Sequence, residues 1–185
     1  MSFPTDPEAS AVSIRAINRN IRSESRSGRT QTRSLGNQKW FITLSYKDLT
    51  RAQFGPIFGF VAGKGVGATT FTVAPSEVSS SPTASGSVTA TSTAAGATSV
   101  TISGLTGTLK AGSFVKFASH TKVYMVTADR AGAGSMSISP ALQSTASGAV
   151  TIDNVPFTVR LANDVQEWSL DGYDRYNFEV DMIEA

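Results

Sequence analysis

The chain has 185 residues, 40% hydrophobic and only 16% charged, with a net charge of +2 and no cysteine. That length holds one ordinary domain or two small ones, and the apolar fraction supplies a core, so wholesale disorder is excluded. The missing cysteines exclude disulfides, thiolate nucleophiles, zinc–cysteine sites and iron–sulfur clusters together.

The opening Met-Ser-Phe-Pro-Thr-Asp-Pro-Glu lacks a basic start followed by an apolar run, and no stretch approaches the ~20 apolar residues of a membrane helix. Synthesis in a cytoplasm without membrane insertion is the expectation. Ala11 to Asn20 alternates loosely and reads as a strand. Arg22 to Ser34 holds arginines at helical spacing, but Ser23, Ser25, Ser27, Gly28, Thr30 and Thr32 oppose a helix, so it reads as extended. Leu35-Gly36-Asn37 is a turn. Lys39 to Tyr46, aromatic and β-branched, is the clearest strand of the first half.

The period then changes. Asp48 or Thr50 is a candidate N-cap, and Leu49, Ala52, Phe54, Ile57, Phe58 and Val61 give a helix one apolar face. Pro56 argues that this helix is split or starts late. Gly63, Gly65 and Gly67 end it, and Thr69 to Val73 is a further strand. Ser76 to Ser87 reads as a serine-rich linker. Short strands are expected at 87–92, 99–103, 114–117, 122–127, 135–139 and 149–152. Gly104, Gly107, Gly112, Gly132, Gly134 and Gly148 supply the turns between them. Such spacing fits a small barrel or sandwich. Longer strands return at 156–161, 166–170 and 173–183, the last with Tyr176, Phe178, Val180 and Met182 on one face.

The fold class is therefore mainly β. A β-sandwich-like domain with one short helix (1–75 plus 156–185) carries an inserted small β-barrel or sandwich (76–155). The insert, hanging from two neighbouring ends, is expected to be dispensable for folding of the rest.

Charge is polarised along the chain. Arg15, Arg19, Arg22, Arg26, Arg29 and Arg33 crowd one early segment; Asp164, Glu167, Asp171, Asp174, Glu179, Asp181 and Glu184 crowd the last. A basic arm can bind nucleic acid, or the two ends can meet within a subunit or between neighbours. Because the same chain supplies the acids, the second reading is preferred, and nucleic-acid contact is not required. The interface candidates are those six arginines with Asp171, Asp174, Glu179 and Asp181.

Chemistry-bearing motifs are sparse. His120 with Ser113, Ser119 and Asp129 lacks a nucleophile elbow and reads as a turn or surface histidine. Gly63-Lys64-Gly65-Val66-Gly67-Ala68-Thr69-Thr70 has glycines like a phosphate loop, but it ends a helix rather than opening one. Asp171, Asp174, Glu179 and Asp181 lack calcium-loop spacing, and Trp40 and Trp168 read as core rather than sugar platforms. No catalytic, cofactor or metal residue is expected.

Two stretches resemble a known family. Gly36-Asn37-Gln38-Lys39-Trp40, Thr43-Leu44 and Leu49-Thr50-Arg51-Ala52 lead through Phe58-Gly59-Phe60 to Phe71. Gly107-Thr108-Leu109-Lys110-Ala111-Gly112 runs on to Phe117, followed by Lys122 to Asp129, Pro140-Ala141-Leu142 and Phe157 to Ala162. Together they resemble the distal-tail and baseplate-type minor tail proteins of tailed bacteriophages. Ser113 stands where that family has an acid, and Gln143 where it often has an arginine. The resemblance implies a virion structural protein, a homo-oligomeric ring, hexameric most often, joining the tail tube protein to tail-tip and hub proteins. The alternative is a carbohydrate- or receptor-binding β module of a virion.

Overall fold

Strict alternation from Tyr176 to Glu184 forms a strand at the centre of the larger sheet in the computed structural model, which describes residues 1–36, 38–65, 69–163 and 165–185. The first part of the chain gives β1 (Ala11–Ile17), β2 (Asn20–Glu24), β3 (Thr30–Ser34), β4 (Lys39–Leu49), α1 (Arg51–Lys64) and β5 (Phe71–Val73). The middle gives α2 (Ser76–Ser79), β6 (Ala84–Ser85), β7 (Thr89–Thr93), β8 (Ser99–Ser103), β9 (Thr106–Leu109), β10 (Phe114–Phe117), β11 (Val123–Val126), β12 (Arg130–Ala131), β13 (Gly134–Ser139) and β14 (Ala146–Thr151). The chain continues through β15 (Phe157–Leu161), β16 (Trp168–Leu170) and β17 (Tyr176–Glu184). The fold is mainly β, a sandwich-like sheet with a small barrel.

The larger sheet runs β1-β4-β17-β15-β5, with β16 also on β17. All its strand pairs are antiparallel. Met182 opposes Ile42 and Val180 opposes Leu44, so both strands turn the same alternate residues inward. The resulting apolar face is covered twice. At one end α1 lays Phe54 and Phe58 on Phe178, with ring centroids 5.7 and 5.8 Å apart. At the other end the barrel presents Phe114, whose ring meets Trp40 at 5.1 Å and Phe157 at 5.2 Å. The β5 edge is closed by the first residues, through Phe3 N–H to Thr72 O at 2.8 Å.

The barrel closes in the order β10-β11-β13-β8-β7-β14. Its core holds Val100, Ile102, Val115, Phe117, Tyr124, Val126, Met136 and Ile138, the inward set of short alternating strands. Leu109 of the β12-β9-β6 sheet joins the same core. Gly104 is needed where two backbones cross: at φ 77° its absent Cβ would stand 2.3 Å from the Ser87 carbonyl oxygen.

Several expectations change. Arg22 to Ser34 is not simply extended but pairs on itself, Ile21 opposite Arg33, as the β2–β3 hairpin. The α1 helix runs unbroken through Pro56, because a proline there removes a single internal N–H bond. Thr50 caps it, its backbone N–H donating to Gln53 Oε1 at 3.0 Å. Leu49 belongs to β4, and Ala52 faces outward. Gly63 lies inside the helix and Gly65 ends it; Val66, Gly67, Ala68 and Asn37 lie outside the described residues. Ser76 to Ser87 contains α2 and β6 and buries Ser79 and Ser81, so it is packed chain rather than a free linker. Gly107 sits within β9 rather than between strands. The two ends of the middle block meet, Val155 N–H donating to Ser79 O at 3.1 Å.

Candidate functional site

Three places gather the polar chemistry: the buried joint between sheet and barrel, the arginine hairpin, and an acidic groove beside β16.

The joint follows from alternation. Residue 184 shares the inward face with Val180 and Met182, so a carboxylate lands 2% exposed in the interior. It survives there because donors surround it. Glu184 accepts from Val123 N–H (2.9 Å), from Trp40 N–H (3.2 Å) and from the Lys122 ammonium. Trp40 Nε1–H in turn donates to Val123 O at 2.8 Å. Val123 begins the barrel's β11, Lys122 immediately precedes it, and Glu184 ends β17, so this node locks one part to the other. Burial pulls the Lys122 ammonium below its usual range, and the facing Glu184 opposes that shift. Lys116 reaches across the same seam to Pro156 O (2.9 Å) and Thr158 Oγ1 (3.2 Å), its affinity for a proton also lowered by burial. The hydrophobic cluster of the larger sheet accordingly includes Phe114, Val123 and Val155. The two parts, 76–155 and the rest, therefore share a buried seam.

The hairpin carries the predicted basic arm. Every residue from Arg15 to Arg33 is exposed. Its turn is local, Ser25 N–H to Arg29 O at 2.9 Å with Gly28 at φ 77°. The Leu35 N–H donates to Arg19 O at 3.1 Å, extending the ladder beyond Asn20 and Ser34. Alternation then puts Arg19, Ile21, Arg33 and Leu35 on one face. Arg22 projects from the other face, Arg26 and Arg29 flank the turn, and Arg15 on β1 lies over the Phe41 ring at 4.7 Å. A two-stranded hairpin without a packed face is marginal in water.

The acids lie elsewhere. Asp171 Oδ1 accepts the N–H groups of Tyr173 and Arg175, each at 2.9 Å, shaping the β16–β17 turn, with Asp174 at φ 56°. Asp181 accepts from Thr43 Oγ1 (2.7 Å) and Asn163 Nδ2 (2.8 Å). Glu179 points to solvent. With Glu167 it lines two adjoining grooves of about 380 and 680 Å³, the first edged by Trp168 and the second by Val165 and Asp181. Asp164 lies outside the described residues.

Among the described residues the ion pairs are Lys110–Asp129 and Lys122–Glu184. No arginine of the arm is ion-paired with Asp171, Asp174, Glu179 or Asp181, so of the two expected ways for the ends to meet, within a subunit or between neighbours, the first forms no ion pair among the described residues.

The remaining motifs resolve individually. His120 is in a turn but buried, not on the surface: Nδ1 meets the Tyr124 hydroxyl at 2.7 Å and Nε2 the Thr145 carbonyl at 3.2 Å and Ser144 Oγ at 3.1 Å. Asp129 is held by Lys110 and the Ala111 N–H, so no Ser–His–Asp set converges. Lys64 folds back over the Phe60 ring at 5.0 Å. Trp40 is core, whereas Trp168 is 48% exposed. Sequence reasoning missed Glu184 and Lys122. The parity that marked Tyr176 to Met182 as inward reaches Glu184 two residues on.

No family model and no curated protein matches the chain.

Proposed function

We propose that the protein is a structural component of a bacteriophage tail tip, a distal-tail or baseplate ring subunit that connects the tail tube to host-recognition proteins. The observation that carries the reading is the β2–β3 hairpin with Arg19 at its root: five arginines on an arm whose residues, from Arg19 to Arg33, are all exposed. Such an arm is what an assembling subunit presents, since a sparsely supported two-stranded ribbon gains order from a partner surface. The residues that carry the tail-protein resemblance are consistent with it. Trp40 and Phe71 lie on β4 and β5 on either side of α1, and Leu109-Lys110-Ala111-Gly112 links β9 to β10. Ring membership makes the role mechanical, with load crossing from sheet to barrel through the Glu184 node. Electron microscopy of purified particles labelled with an antibody to this chain tests the proposal. Label at the host-facing end of the tail is expected; label on the capsid, or particles without the protein, refutes it.

A further inference from the structure

We infer that the β2–β3 hairpin of one copy lies in the acidic groove beside β16 of a second copy, a head-to-tail contact between different surfaces of the same chain. This rests on the reading of the protein as an assembling subunit and names the partner of its arm.

Exposed apolar side chains locate both halves. Among the described residues the exposed large hydrophobics are Met1, Ile17, Ile21, Leu35, Val165, Trp168, Leu170 and Tyr173. Apart from Met1 they fall in two places only. Ile17, Ile21 and Leu35 belong to the hairpin and its root. Val165, Trp168, Leu170 and Tyr173 belong to β16 and the loops on either side of it. Tyr173 is 88% exposed and Val165 71%, side chains that a solitary subunit has no reason to present together.

The charges are complementary. From Arg19 to Leu35 the hairpin has five arginines and one acid, Glu24, a net +4. Around the groove, the five acids Glu167, Asp171, Asp174, Glu179 and Asp181 face two basic residues, Lys47 and Arg175, a net −3. Each patch therefore combines apolar groups with charges mostly of one sign, and the prevailing signs are opposite. The face bearing Arg19, Ile21, Arg33 and Leu35 matches the groove edge in kind, aliphatic against aromatic and guanidinium against carboxylate. The outer edge of the three-residue strand β16 is unpaired among the described residues, since its ladder runs only to β17. A strand from a neighbour can extend it.

Nucleic acid suits the arm less well. Ile21 and Leu35 interrupt the arginines on that face, and a phosphate backbone offers aliphatic side chains nothing to bury against. Because donor and acceptor surfaces differ, the contact is heterologous and repeats from copy to copy, closing into a ring or running on as a filament.

The absence of cysteine gives a clean test on the full chain. Ile21→Cys and Leu170→Cys, both at exposed positions, are prepared separately and mixed under mild oxidation. A covalent dimer is expected, whereas Ile21→Cys mixed with Thr101→Cys, an exposed barrel position, stays unlinked. Charge reversal gives a second measurement. Arg19→Glu/Arg33→Glu and Glu167→Arg/Glu179→Arg should each weaken self-association about tenfold or more, and mixing the two variants should restore it. If wild type assembles but cross-links no better at Leu170 than at Thr101, and the arm variant assembles normally, the contact is overturned while the tail-tip reading stands. If wild type stays monomeric at high concentration without cross-linking, the contact is overturned too, and particle labelling decides the tail-tip reading separately. Loss of salt-sensitive DNA binding in the arm variant, with assembly intact, overturns it in favour of nucleic acid.

Discussion

Replacing Glu184 by alanine strips the joint of its acceptor. Lys122 is left as a buried ammonium, its nearest compensation the Trp40 ring at 5.7 Å, and the N–H groups of Val123 and Trp40 lose their partner. Breaking one side of a buried ion pair costs about 3–5 kcal/mol. For a chain of this size each kcal/mol lowers Tm by about 2–4 °C, so a fall of about 6–20 °C is expected. The sign of the pH dependence follows from Lys122. Its pKa is already lowered in the fold, so keeping it charged costs stability below that pKa, and the cost fades as pH rises toward the unfolded value of 10.5. Without Glu184 the shift deepens, so the deficit of Glu184→Ala should be largest near neutrality and shrink at alkaline pH. Calorimetry beside Glu179→Ala, an exposed acid on the same strand, gives the comparison; the latter should stay within about 0.5 kcal/mol of wild type. Lys122→Met/Glu184→Met should recover part of the loss, because no unpaired charge remains. If Glu184→Ala melts with Glu179→Ala, the joint is not the lock described here.

Burial, with Glu77 nearby, pushes the Tyr46 phenol from 10.0 up to about 12. Its contribution is intact below pH 10 and lost as pH rises toward 12, about 2–3 kcal/mol in all; urea unfolding across that window should show the fall in wild type and a flatter profile in Tyr46→Phe. Gly104→Ala drives a Cβ against the Ser87 backbone at positive φ and should cost more than about 2 kcal/mol. Gly96→Ala, at φ 86° in open space, should cost about 1–2 kcal/mol in the same denaturation assay. Substituting a short Gly/Ser linker for 76–155 exposes Trp40 and Phe157 and removes Lys122 from Glu184; near-ultraviolet circular dichroism should report lost packing, and a cooperative, native-like remainder would contradict the shared core.

The sequence alone determined the strands whose patterns are local. Ser99 to Ser103 and Phe114 to Phe117 were legible to the residue, and β17 within a few, because period-two burial leaves its mark on the strand itself. The basic and acidic ends were equally plain, and the helix cap was narrowed to Asp48 or Thr50, of which the structure uses Thr50. The tertiary structure decided what depends on neighbours distant in the chain. Trp40 and Trp168 both lie on apolar strands, yet Trp40 is sealed by Phe114 of the barrel while Trp168 rests on the Phe54 and Tyr176 rings with its other side in solvent. Pro56 was compatible with a broken helix until packing of Phe54, Ile57 and Val61 outweighed one missing hydrogen bond. Glu184 was inward by parity, but a buried carboxylate is tolerable only where donors converge. Lys122 stands 62 residues away in sequence and Trp40 144, so only folding brings them to it.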